Sequence, residues 1–172
     1  QLRVSVWLNP WTQVQGDGYQ IAQGLIAIVS GGPFGVGLGL GSPKSVPAYR
    51  TDYIFAVICE EMGWVTGFMV IGLFVMLLIC GINIARRCSD AYHALLAVGC
   101  TVMLALQSFI ILGGVTKLIP LTGITLPLVS YGGSSILSVM LLLGILQGVS
   151  EYTGRKAEEA LLVEDEEGEE DA

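Results

Sequence analysis

The sequence predicts an all-α polytopic membrane protein: three transmembrane helices of a larger helical bundle, plus a large extracellular loop with an interfacial helix. Three observations predict it. Of the 172 residues, 53% are hydrophobic and the mean hydropathy is +0.70, too apolar for an ordinary soluble domain. Residues 62–85, 91–116 and 118–150 hold three long apolar runs, each longer than the roughly 20 residues that cross a bilayer as a helix. Charges gather at the ends of these runs. A buried soluble core is the competing reading, but it would not need three such runs with charges kept to their ends.

Residues 1–51 form the extracellular loop. Trp7 and Trp11 suit a membrane interface, where an amphipathic ring has one wet edge. In "GYQIAQGLIAIVSGG", Ile21, Leu25, Ile28 and Val29 recur at helical spacing with Gln20 and Gln23 opposite. This stretch is too short and polar to span, so an interfacial or re-entrant helix ending at the Gly pair is expected. "GGPFGVGLGLGSPKSVPAYR" is rich in Gly and Pro and reads as broken backbone. It lacks the Lys-Ser/Thr of a phosphate-binding P-loop, and no strand precedes it, which argues against nucleotide binding.

Residues 52–150 hold the three spans. The first begins near Thr51, with Thr51 or Asp52 as its cap, and ends at Arg86-Arg87. The second follows the turn "RRCSDAYH", with Ser89 or Asp90 as cap, and ends near Thr116. An outer re-entrant loop at 117–133 leads to the third, from about Ser134 to Val149. Arg86, Arg87, Arg155 and Lys156 share one side, which the positive-inside rule makes cytoplasmic. Lys44, Arg50 and Lys117 fall on the outer side, against the trend.

The net charge of −7 is a property of the tail. Residues 151–172 carry ten acidic and two basic residues, leaving five acidic and six basic elsewhere. "EDEEGEEDA" has nothing to bury and is expected to be a disordered, solvated cytoplasmic tail. A basic partner is the alternative, and no nucleic acid is expected. Cys59, Cys80, Cys88 and Cys100 lack zinc-site spacing and read as single buried thiols. His93 reads as a satisfied interfacial residue rather than a ligand. The opening "QLRVSVWLNPW" lacks Met and reads as the middle of a longer protein.

Two segments distant in sequence are expected to meet at the outer face. One carries Lys44, Arg50, Thr51, Asp52, Glu60 and Glu61. The other carries Lys117, Thr122, Thr125, Ser130, Tyr131, Ser134 and Ser135. Together they offer cations for phosphate, carboxylates for proton transfer, hydroxyls for a sugar or diphosphate, and glycines that let amides approach an anion. Each has a plainer reading: Asp52 as a helix cap, Glu60 or Glu61 as an ion-pair partner of Arg50 or Lys117, "SYGGSS" as a helix start. Composition alone reaches a polytopic protein with an outward polar site, not a reaction.

The motifs "SGGPFGVGLGLGSPKSVPAYRTDYIFAVICEEMG", "GGVTKLIPLTGITLPLVSYGGSS" and "LGILQGVS" resemble the SEDS family, the RodA/FtsW/SpoVE group, over nearly everything from Trp7 to Ser150. The resemblance implies a C-terminal fragment of a multi-pass protein of the bacterial cell membrane. It implies a peptidoglycan glycosyltransferase that polymerises glycan strands from lipid II, with undecaprenyl diphosphate leaving. A class B penicillin-binding protein, the transpeptidase, would be its partner, alongside other divisome or elongasome proteins. Asp52 falls on the family's essential aspartate and is the expected catalytic base. Lys44, Arg50, Thr51, Glu60, Glu61, Lys117, Ser130, Tyr131, Ser134 and Ser135 are the expected substrate-binding residues, with a divalent cation (Mg or Mn) as the candidate cofactor. Ala48 and Arg50 depart from the usual Glu and His, and Arg50 would lower the Asp52 pKa if the two touch. Ile111 stands where many members have Asn. A lipid II flippase, or a scaffold for the penicillin-binding protein, are the alternatives.

Overall fold

The computed structural model describes residues 6–13, 18–42 and 46–170; Lys44 lies outside them. Among the described residues the regular structure is helical, with no strand. A 3-10 turn, Pro10–Gln13, precedes four α-helices: α1, Tyr19–Ser30; α2, Ile54–Arg87; α3, Ala91–Val115; and α4, Gly133–Glu170. Helices α2, α3 and α4 contain spans long and apolar enough to cross a membrane. α1 is the short helix expected from its pattern, too short to span, and it ends where the Gly pair begins.

α2 packs most extensively on α3, and α4 packs against both. Close approach depends on small residues, since helices in lipid gain little from burying apolar surface. Gly81 lies so near Thr101 that a Cβ would strike its side chain. Thr101 returns its own hydroxyl to the Ala97 carbonyl at 2.7 Å, so that donor is not left bare at the contact.

The first span departs from expectation in two ways. It starts at Ile54 rather than near Thr51, and neither Thr51 nor Asp52 caps it: the capping position is Tyr53, with no side-chain bond. It also breaks at Gly63, where φ is 84° and ψ 165°, a region essentially reserved for glycine. The break frees backbone groups, and the Gly-rich segment takes them up. Val36 and Gly37 donate their N–H groups to the carbonyls of Glu60 and Glu61 at 2.9 and 3.0 Å. Trp64 and Val65 donate to the carbonyls of Gly32 and Pro33 at 3.0 and 3.4 Å. Residues 32–64 therefore form a closed excursion, sealed backbone to backbone at its neck.

A buried cluster fills that excursion: Ala27 of α1, Val46, Tyr53, Phe55, Ala56 and Cys59, with Ile111 and Val115 of α3 and Leu126. A second cluster at the opposite end joins Ala85, Ala97, Leu146 and Val149. Of the free thiols, Cys59 and Cys100 are buried, whereas Cys80, expected inside, is exposed on the outward flank of α2.

At the Arg86-Arg87 end, the turn between α2 and α3 is tied to α4. The Cys88 thiol lies 3.2 Å from the Thr153 hydroxyl. Asp90 takes the N-cap position of α3 but makes no side-chain cap bond. Its Oδ2 instead accepts the Tyr152 hydroxyl and the Lys156 ammonium, each at 3.0 Å. The His93 ring stacks on Tyr152 with centroids 4.2 Å apart, and its Nδ1, 3.5 Å from Asp90 Oδ2, has no hydrogen-bond partner. His93 is thus packed between Tyr92 and Tyr152 with Asp90 beside it.

α4 runs on to Glu170, so the segment expected to be disordered is helical here. Its sequence after Tyr152 is rich in the strong helix formers Ala, Glu, Leu, Lys and Arg, and Glu151 pairs with Arg155 one turn on at 3.7 Å. The contacts to Asp90 anchor the start of that extension.

Two outcomes follow. Gly63→Ala puts a Cβ against Pro33 and Gly35 in a backbone region closed to alanine; it should cost about 2–4 kcal/mol, read as a lower thermal midpoint in detergent. The Lys156 and Tyr152 hydrogen bonds hold the Asp90 carboxyl below its ordinary value. With a lower pKa folded than unfolded, the contact contributes above about pH 4 and is lost as pH falls through the folded value. Protease protection just beyond Lys156 should hold at neutral pH, vanish in that acid range, and be absent at neutral pH in Asp90→Asn.

Candidate functional site

The end of the bundle opposite Arg86-Arg87 brings together the turn before α2 and the loop between α3 and α4. The turn is built on Ala48, at φ 54°, whose carbonyl faces inward and accepts the N–H groups of Thr51, Asp52 and Tyr53 at 3.1, 3.2 and 3.3 Å. The Thr51 hydroxyl joins them at 3.3 Å. These bonds shape the turn that leads into α2, and the capping position makes no side-chain cap bond.

Asp52 is half-buried and faces Gly123. A Cβ on Gly123 would lie 3.5 Å from Asp52 Oδ2, and Gly123 has φ 76°, a conformation that disfavours any side chain. The carboxylate therefore meets bare backbone across the gap. Beneath it Tyr53 is fully buried against Gly24 of α1, its hydroxyl without a hydrogen-bond partner among the described residues. Burial, then the Asp52 charge, raises the Tyr53 pKa far above the usual phenol value, so it remains a neutral floor to the site.

The two loops are sewn together at Ser130. Its buried hydroxyl donates to the Thr51 carbonyl at 2.6 Å and accepts the Leu126 N–H at 2.8 Å. The next residue, Tyr131, donates its N–H to the Arg50 carbonyl at 2.9 Å. Within the second loop, the Thr125 hydroxyl donates to Ser135 at 2.7 Å, and the Gln107 amide of α3 donates to the Thr125 carbonyl at 3.1 Å. Lys117 ends α3 at φ 63°, with its N–H on Gly114 and the Leu118 N–H on Gly113, a helix terminus that usually employs glycine. The Trp7 indole N–H donates to the Lys117 carbonyl at 3.1 Å and ties the N-terminal segment to this end.

The expected site residues are thus partly gathered. Arg50, Thr51, Asp52, Ser130 and Tyr131 converge, and Ser135 stands behind Thr125. The Tyr131 side chain and Ser134 are exposed, and Lys117 is half-buried. Arg50 does not pair with Asp52: its Nε donates to the Tyr49 hydroxyl at 2.9 Å, and its guanidinium lies over the Tyr49 ring. Glu60 and Glu61 pair with neither Arg50 nor Lys117; they lie at the sealed neck of the excursion, where Glu60 Oε1 accepts the Ser42 N–H at 3.0 Å. Among the described residues, no three His, Cys, Asp or Glu side chains form a group able to hold a metal. Sequence reasoning passed over Gly123 and Gln107. The Gly in "LTGIT" was a readable signal for open backbone, whereas nothing local marks Gln107 as the support of a loop 18 residues away.

Comparison with known proteins places these elements. The model of a cell cycle protein family, that of FtsW, RodA and SpoVE, matches residues 1–155. The peptidoglycan glycosyltransferase RodA of Mycobacterium tuberculosis is 47% identical over 150 residues, 87% of this chain and 32% of that protein. Stage V sporulation protein E of Bacillus subtilis is 46% identical over 153 residues, 88% of this chain and 42% of that one. A solved chain from work on how a peptidoglycan synthase complex coordinates polymerization and crosslinking superposes with a TM-score of 0.71 at 30% identity, covering 87% of this chain and 41% of that one. The chain spans about a third to two-fifths of the length of such relatives.

Ser130→Ala removes the side-chain bond between the loops, leaving the Tyr131–Arg50 backbone bond, and strips the Leu126 N–H and the Thr51 carbonyl of a partner. It should cost about 1–3 kcal/mol and loosen the turn before α2, seen as faster amide exchange across 48–53.

Proposed function

The chain belongs to the family of FtsW, RodA and SpoVE proteins, and on that premise we propose that it carries the catalytic base of a lipid II-dependent peptidoglycan glycosyltransferase. The observation that carries this reading is the Asp52 carboxylate. It sits in the turn held by the Ala48 carbonyl, has no ion-pair partner among the described residues, and faces the bare backbone of Gly123.

In the proposed reaction Asp52 takes the proton of the acceptor sugar hydroxyl as its oxygen attacks the anomeric carbon of the donor. The new C–O bond forms as the bond to the diphosphate breaks, the electron pair leaves with undecaprenyl diphosphate, and the anomer inverts. Arg50 and Lys117, with Lys44, are the candidate counter-charges for the departing diphosphate. Tyr131 and Ser134 are exposed at the same end and available to a sugar or phosphate, whereas the Ser130 hydroxyl is already engaged on both sides. A divalent cation fits only as an ion held by the single Asp52 carboxylate together with the diphosphate, a common mode for Mg²⁺. It would supply further positive charge to the leaving group.

The same reading makes the Asp52 end extracellular and the α4 extension cytoplasmic, because Arg86, Arg87, Arg155 and Lys156 gather at the other end. A class B penicillin-binding protein is the proposed partner. The polar groups inside α3 favour a polymerase over a flippase: the hydroxyls of Thr101 and Ser108 return to carbonyls of their own helix, and Gln107 holds a loop, so they line no polar path.

The test is polymerisation of labelled lipid II by the protein extended to its relatives' full length and paired with its transpeptidase. Wild type should yield polymer, and Asp52→Ala should lose at least about a hundredfold in rate while the complex still assembles. Equal polymer from both would remove Asp52 from the mechanism. Lipid II crossing vesicles without polymer would favour the flippase.

A further inference from the structure

Glu60 is a buried charged group that the chemistry at Asp52 does not use. Its side chain is only 8% exposed. Oε1 accepts the Ser42 N–H at 3.0 Å, while Oε2 is buried with no hydrogen-bond partner among the described residues. A Cβ on Gly41 would lie 3.1 Å from Glu60 Cδ and from Glu61 Cγ, so the loop backbone passes directly over both side chains.

Position gives this contact its meaning. The neck of the excursion is closed by backbone bonds at Gly32, Pro33, Val36 and Gly37. The Ser42 contact is made by a side chain, and it grips the loop four residues before Val46. Val46 is buried in the same cluster as Tyr53, and Ala48, two residues on, builds the turn that aims Asp52. Ser42, Val46 and Ala48 thus follow one another in the chain that leads to Asp52, and Glu60 holds the first of them. Burying a carboxylate with one oxygen unmatched is costly, and such a cost is tolerated where geometry matters more than stability.

We propose that Glu60 is a positioning residue: its bond to Ser42 fixes the segment that holds Asp52 opposite Gly123. For catalysis this rests on the reading of Asp52 as base; for structure it stands alone. Glu60→Gln keeps an oxygen to accept the Ser42 N–H, whereas Glu60→Ala and the similarly long Glu60→Met do not.

The experiment uses the full-length protein with its transpeptidase and two readouts, amide exchange across 42–53 and lipid II polymerisation. Loss of the acceptor should speed exchange at Ser42 and across 46–53 about tenfold, and lower kcat by a similar factor with KM little changed. Glu60→Gln should stay within about twofold of wild type in both readouts. Unchanged exchange across 46–53 in Glu60→Ala, or in Glu60→Met should the alanine variant not fold, would overturn the inference. So would Glu60→Gln as damaging as Glu60→Ala, which would make the charge and not the acceptor the working feature, or a rise in KM alone, which would make Glu60 a substrate contact. If wild type makes no polymer, the glycosyltransferase reading fails by itself, and the exchange data still decide the role of Glu60.

Discussion

Everything at the loop end of the bundle depends on one interruption in a helix. A helix crossing hydrocarbon must satisfy its own backbone, so a break is tolerable only where another segment supplies the missing bonds. At Gly63 the Gly-rich segment does so, pairing with Glu60, Glu61, Trp64 and Val65. The contact has no room for side chains, because Cβ atoms at Gly31, Gly35 or Gly63 would strike the facing backbone. This explains a composition that looks disordered on paper. The glycines are there for close approach rather than flexibility, and the resulting loop is held at its neck.

With the neck fixed, the far side of the excursion can be aimed. Ala48 gathers three amides, Tyr53 fills the space beneath, and Ser130 and Tyr131 attach the second loop through the carbonyls of Thr51 and Arg50. Asp52 thus sits between two loops whose backbones are bonded to each other, an arrangement suited to a group that must be in place before its substrate arrives. Arg50, turned toward Tyr49, is left out of that lattice.

The fold was legible because three apolar runs with charged ends have few solutions, and the interfacial helix because its apolar residues recur at helical spacing. The meeting of the two loops was also legible, from the alternation of ends that three antiparallel spans impose. The break at Gly63 was not. Its neighbours "EEMGWV" read as uninterrupted helix, and only the partner segment, some 30 residues earlier in the chain, makes a glycine-only conformation worthwhile there. The surroundings of Glu60 and Glu61 were hidden for the same reason: sequence shows two carboxylates near Asp52, but not that a loop lies over them. The tail misled in the opposite direction. Its acidity spoke for disorder, while helix formers and an anchored start at Asp90 carry the helix onward.

That anchored start has an electrostatic consequence. A helix rises 1.5 Å per residue, so the backbone from Lys156 to Glu170 extends about 20 Å, more than twice the screening length of about 8 Å at physiological salt. As a coil, the same acidic residues would sample the headgroup region and be repelled by its anionic lipids. As a rod held at its base, the extension places its far residues more than a screening length from the anchoring contacts at Asp90, where Arg155 and Lys156 are already paired with Glu151 and Asp90.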